Sequence, residues 1–190
     1  MDRLKLFMAL IGCTPPGRHT EQHDIFFGIA GNLKELVPQM IAFWPEAKGR
    51  LHIDSWREVT TVNDYSVEIV QGVDADEKDA DPQIVNLFFL NLGGYKPGEF
   101  EEYHYKMLAA CKDISTAISL AKKTFFYKHT GFKKAESHID DKYGIDVDDV
   151  YRVEDILPVG TKEKYSIRLK QLMNPLSDEL HIGYYKFSGL

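Results

Sequence analysis

The chain has 190 residues, 44% of them hydrophobic, enough apolar material for one sizeable core or two small fused ones, which argues against global disorder. Its 29 acidic and 23 basic side chains leave a net charge of −6, the wrong sign for a protein built to hold nucleic-acid phosphate. Cys13 and Cys111 are the only cysteines; they are far apart and outside any CxxC spacing, so neither a disulfide framework nor a thiol zinc site is supported, and a reducing, cytoplasmic compartment fits.

The first predicted element is an apolar run, Leu6-Phe7-Met8-Ala9-Leu10-Ile11-Gly12-Cys13. It superficially resembles the box at which bacterial lipoproteins are cleaved and lipidated. A similar string, Leu87-Phe88-Phe89-Leu90-Asn91-Leu92-Gly93-Gly94, recurs in mid-chain, where no signal can operate, so both read as buried strands. No stretch approaches the roughly 20 apolar residues of a membrane span, so no membrane partner is expected.

That recurrence extends into an internal repeat. A displacement of 81 positions pairs Leu6 with Leu87, Gly12 with Gly93, Pro16 with Pro97, Gly17 with Gly98, Glu21 with Glu102 and His23 with His104. It also pairs Leu33, Leu36, Val37, Met40 and Trp44 with Ile114, Ala117, Ile118, Ala121 and Phe125, spacings that place one apolar stripe on each of two helices. After an insertion the displacement becomes 86, matching His52-Ile53-Asp54 to His138-Ile139-Asp140, Tyr65 to Tyr151 and Val67-Glu68 to Val153-Glu154.

In each copy a buried strand (4–11; 86–92) runs into a Pro-Gly turn, where proline presets φ and glycine accepts a positive φ. A second strand follows at 23–30 and 103–111. Asn32 with Glu35, and Asp113 with Thr116, then supply N-cap signals for a helix. Pro38, lacking an amide donor, kinks or restarts the first helix. Two more strands close each copy, at 51–60 and 65–71, and at 136–143 and 149–156.

The expected fold is therefore α+β: two pseudo-symmetric β-β-α-β-β repeats packed together, with a C-terminal β-hairpin. Residues 1–71 form the first unit, 72–82 an acidic linker and 83–157 the second unit. Residues 158–190 form the hairpin extension, whose strands extend or cap an open sheet edge.

Four strings, Glu-Gln-His-Asp-Ile-Phe-Phe-Gly-Ile at 21–29, Phe-Trp-Pro-Glu-Ala at 43–47, Leu-Gly-Gly-Tyr-Lys-Pro-Gly-Glu-Phe-Glu-Glu-Tyr-His at 92–104 and Phe-Tyr-Lys-His-Thr-Gly-Phe at 126–132, resemble domain-of-unknown-function family 1543. The resemblance spans nearly the whole chain and implies a bacterial cytosolic protein carrying two copies of the module. It implies no activity, substrate, cofactor or catalytic residue.

Candidate chemistry rests on the residues alone. Glu21/His23 and Glu102/His104 are Glu-x-His pairs whose i, i+2 spacing puts both side chains on one strand face. They are suited to a metal or to acid/base work if the copies bring them together, and otherwise to fixing the Pro-Gly loop. His52/Asp54 and His138/Asp140 repeat that geometry, with metal ligation conceivable if they converge with the first set and a sheet-edge role otherwise. They match no HExxH or His/Cys zinc pattern. Arg18 and Lys96, beside the glycines of the two Pro-Gly loops, could present an anion site or merely line a tight connection. Cys13, near Arg18, His19 and His23 in sequence, is either an activated thiol or a structural cysteine. The acidic run 140–149 fails the EF-hand spacing, and the aromatic segment 125–132 either lines a ligand pocket or is core with its polar tips wet.

Two functions stay open. The first is a non-catalytic module binding a small molecule or a protein, and the second a metal-dependent or acid/base enzyme built on the Glu-x-His pairs.

Overall fold

The computed structural model describes residues 3–72, 84–96, 98–124 and 149–190. The chain divides into two compact units: Met1–Val73 with Ile156–Leu190, and Asp74–Asp155.

In the first unit β1 (Lys5–Cys13) sits at the centre of a sheet ordered β10-β3-β1-β2, with β2 at Gln22–Ala30, β3 at His52–Glu58 and β10 at His181–Lys186. All the pairings are antiparallel. Phe7, Ala9, Ile11 and Cys13 alternate along β1 and bury one face against Leu33, Leu36 and Met40, as a two-residue period requires. Those partners come from a 3-10 turn (Leu33–Leu36) and helix α1 (Val37–Phe43). Asn32 caps the turn, its side-chain oxygen accepting from the Glu35 amide at 3.3 Å, while the Glu35 carboxylate accepts from the Gly31 amide at 3.0 Å. Pro38 falls in the first turn of α1, so the 3-10 segment ends and an α-helix restarts where the missing donor does no harm.

A second sheet of this unit joins β4 (Thr61–Val62), β5 (Tyr65–Gln71) and β9 (Tyr165–Gln171). β9 follows a short helix, α3 (Val159–Lys162). The C-terminal hairpin expected from the sequence is not formed. β9 pairs with β5 over seven residues and β10 pairs with β3, so the last two strands serve different sheets. The segment between them is held by buried Asp178, whose Oδ1 accepts from the Thr60 amide (3.1 Å), the Thr60 hydroxyl (2.5 Å) and the Thr61 amide (3.1 Å). A strand that satisfies an open edge elsewhere gains a full ladder of hydrogen bonds, and that outcompetes pairing with its sequence neighbour.

The second unit is built on β6 (Asn86–Tyr95), flanked by β7 (Glu102–Cys111) and β8 (Asp149–Arg152), with helix α2 (Ile114–Ala121) packed over Phe88, Leu90, Leu92, Ala109 and Cys111. Its hairpin has the register of β1/β2 at a displacement of 81: Leu6 faces Ile29 and Leu87 faces Ala110, and Gly12 faces His23 and Gly93 faces His104. The turns match too. Gly17 and Gly98 have φ of 80° and 81°, and the amides of Arg18 and Glu99 donate to the carbonyls of Pro15 and Lys96. Asp113 caps α2 by accepting from the Thr116 amide at 2.7 Å.

The later match at a displacement of 86 does not hold for Tyr151 and Val153-Glu154. Tyr151 faces Phe89 in β8 as Arg57 faces Met8 in β3, whereas Tyr65 lies in β5 of the other sheet. Val153–Ile156 forms a 3-10 turn in place of the end of a strand. The strand offset is thus 94, eight more than the sequence match suggests. An even slip leaves the in/out alternation of a strand unchanged, so pattern alone cannot separate the two registers. The strand expected at 136–143 lies outside the described residues.

Candidate functional site

Gly12 is the hub of the site. On β1 it faces His23 across the β2 ladder and His52 across the β3 ladder, so three neighbouring strands set His, Gly and His in one row. Cross-strand neighbours on one face stand close enough for their side chains to meet. Between Leu10 and Ile11 the β1/β3 register skips a residue: Leu10 faces Ser55 and Ile11 faces Ile53. Asp54 is the extra residue of this bulge, a device that re-aims a side chain. Glu21, immediately before β2, lies two residues from His23.

These four side chains meet. His52 Nε2 is 3.1 Å from a Glu21 oxygen and 3.2 Å from Asp54 Oδ1. His23 Nε2 is 3.2 Å from Asp54 Oδ2 and 3.7 Å from the other Glu21 oxygen. Each imidazole nitrogen therefore lies between the same two carboxylates. A Cβ at position 12 would stand 2.7 Å from Asp54 Oδ2 and 2.9 Å from both His52 Nε2 and His23 Cδ2, so the quartet occupies space that only glycine leaves open.

The quartet has a rigid side and an open side. The His52 side chain is 4% exposed and its ring stacks on Tyr184 of β10, with centroids 4.3 Å apart and planes at 29°. Asp54 is 26% exposed, His23 38% and Glu21 44%. Although His52 Nε2 and Asp54 Oδ2 lie at ion-pair distances, both are buried and neither makes an aligned hydrogen bond. Burial without such a partner is costly for a polar atom. One ladder further along β3, His181 stacks on Trp56 at 3.9 Å and 11°, which fixes the start of β10.

The other sequence candidates belong to other elements. Glu102 and His104 start β7 in the second unit, while Glu21 and His23 meet His52 and Asp54 within the first. His138 and Asp140 fall outside the described residues. Arg18 is exposed in the turn between β1 and β2. Lys96 lies over the Tyr103 ring at 4.1 Å, and the Tyr103 hydroxyl bonds the Glu99 carboxylate. Cys13 belongs to the hydrophobic cluster on the face of β1 opposite to that of Gly12, and burial pushes its thiol up, with Arg50 opposing and Glu21 reinforcing the shift. A buried, protonated thiol is a poor nucleophile. Cys111 is pushed up by burial to about 11.

Sequence reasoning missed the roles of Gly12, Tyr184 and the Asp54 bulge. A signal for the first was present: a glycine closes each buried apolar run, and each is followed eleven residues later by a histidine.

Residues 18–69 match the family model of the Domain of Unknown Function (DUF1543). That segment carries all four residues of the quartet, together with β2, α1 and β3. Over nearly its whole length the chain is similar in fold to the crystal structure of a protein Il1583 from Idiomarina loihiensis, with a TM-score of 0.60, 21% identity, and 96% of this chain and 97% of that chain covered. No curated protein matches. No helix among the described residues is long and apolar enough to cross a membrane.

Proposed function

We propose that the chain is a non-catalytic binding module whose ligand is a small cation held by Glu21, His23, His52 and Asp54. The observation that carries this reading is His52 Nε2: buried, without an aligned hydrogen bond, and placed 3.1–3.2 Å from two carboxylates. With neutral imidazoles the quartet holds two formal negative charges and two nitrogen lone pairs, which a positive ligand satisfies and an anion does not. The exposed edge, Glu21 and His23, offers the way in. The same local charge, with the net charge of −6, argues against nucleic acid as a partner.

The test is a titration of the full chain with ethylenediammonium and guanidinium, followed through the backbone amides of unit 1. The expected result is saturable movement of the Gly12, Gln22 and Ile53 amides, abolished in Asp54→Asn. Equal movement in wild type and variant, or none with any cation, would overturn the reading. An acid/base enzyme is the second reading, favoured by the partly exposed His23 Nε2 lying 3.2 Å from Asp54. It requires turnover that His23→Ala abolishes.

We also infer that the two units descend from one duplicated module, on the shared hairpin register, turn and N-cap at a displacement of 81. A bacterial, cytoplasmic setting is proposed as well, supported by the family resemblance and by two free, buried thiols.

A further inference from the structure

We infer that the cation is a divalent first-row transition ion of the zinc class, bound by nitrogen from His23 and His52 and by oxygen from Asp54 and Glu21. This rests on the reading of the quartet as a cation site and narrows it to one chemical class.

The donor set makes the first argument. Calcium and magnesium take oxygen ligands, and magnesium keeps much of its water, so two imidazoles converging on one point are wasted on either. Imidazole with carboxylate suits zinc and its neighbours in the first transition row.

The spacing makes the second. Ligands about 2.0–2.1 Å from a tetrahedral zinc ion stand about 3.3–3.4 Å apart. The four nitrogen-to-oxygen separations, 3.1, 3.2, 3.2 and 3.7 Å, run to four different carboxylate oxygens; they put both carboxylates beside both imidazoles near that edge length, without yet forming one tetrahedron. Hydrogen bonds would account for the shorter three, but His52 Nε2 and Asp54 Oδ2 make none with usable alignment. Gly12 supplies the third argument, because any side chain there would fill the space towards which Asp54 and His52 point.

Among the described residues no group of three or more His, Cys, Asp and Glu side chains is already arranged to hold an ion. Binding therefore has to draw in the exposed half of the quartet. Glu21 and His23, at 44% and 38% exposure, have the freedom to turn, whereas His52 is pinned by Tyr184. If all four side chains ligate, no position remains for a reactive water, as in structural zinc sites and in keeping with a module that binds without catalysing.

The experiment is calorimetric titration of the chelator-treated full chain with Zn²⁺, repeated with Co²⁺ and followed by visible absorption. Wild type, Glu21→Gln, His23→Ala and His52→Ala are compared. One equivalent of Zn²⁺ is expected to bind, with a tetrahedral Co²⁺ spectrum. Affinity is expected to fall at least tenfold in His23→Ala and Glu21→Gln, whose exposed positions leave the metal-free melting temperature unchanged, so the test does not depend on His52→Ala folding. Absence of saturable Zn²⁺ and Co²⁺ binding, or binding that these variants leave intact, overturns the inference. If ethylenediammonium still moves the quartet's amides in that case, the cation-site reading survives without the metal. If neither probe binds there, both fall.

Discussion

Gly12→Ala puts the geometry of the quartet under the most direct strain. The added Cβ would lie 2.7 Å from Asp54 Oδ2 and 2.9 Å from His52 Nε2, where ordinary contact begins at 3.4 Å. The shortfall is thus about 0.7 Å against the carboxylate and about 0.5 Å against the ring. His52 cannot retreat without leaving its stack on Tyr184, so the Asp54 bulge has to move. Overpacking of this kind costs about 1–3 kcal/mol. Removing a glycine from the unfolded chain returns about 0.4–1 kcal/mol, since position 12 has no positive φ to forbid alanine. The net expectation is a loss of about 1–2 kcal/mol, or roughly 2–8 °C in melting temperature for a chain of this size. Tryptophan fluorescence is the suitable assay, because Trp44 and Trp56, the only two tryptophans, both belong to the first unit and pack on its core. Gly160→Ala is the control: nothing stands within 4 Å of its added Cβ, and at a helical position it should be neutral or slightly stabilising. A Gly12→Ala variant as stable as wild type, with the His23 and His52 imidazole resonances unmoved, would refute the packing argument.

Asp178→Ala is expected to destabilise the first unit by about 2–3 kcal/mol, since one buried carboxylate oxygen serves three donors of Thr60 and Thr61; fast exchange of those two amides should accompany it, and unchanged protection would show that the tail is held by something else. Cys111 should resist alkylation at pH 8 in the folded chain, because burial raises its thiol from an ordinary 9.0 to about 11. The sign follows from the raised value. The folded state favours the protonated thiol, so its contribution is complete below about pH 9 and disappears as pH rises towards 11. Labelling at pH 8 as fast as in the denatured chain would contradict this.

Much of the fold was legible because local chemistry and tertiary packing agree. The alternation in Leu6–Cys13, the Pro-Gly turns and the Asn32 and Asp113 caps each follow from residues within a few positions of one another. What escaped depends on distant partners. No local pattern says whether Tyr165–Gln171 pairs with the strand that follows it or with β5, nor whether β8 is offset by 86 or by 94, since both registers keep the same faces. The site was legible in pieces. Glu21/His23 and His52/Asp54 were each recognisable as same-face pairs. Their meeting, however, depends on β1 lying between β2 and β3 and on a one-residue bulge, and neither follows from a two-residue period. The repeat also drew attention to Glu102 and His104, at the equivalent positions of the other unit, as partners for Glu21 and His23. Within the first unit the pair meets His52 and Asp54, the second same-face pair of that copy.

The most direct test of the quartet as one site is imidazole nitrogen NMR of the full chain, before and after a saturating cation, Zn²⁺ or ethylenediammonium. Concerted movement of the His23 and His52 Nε2 resonances, with the other five histidines still, is the expected result. Movement of only one of the pair, or of histidines outside it, would contradict a shared site.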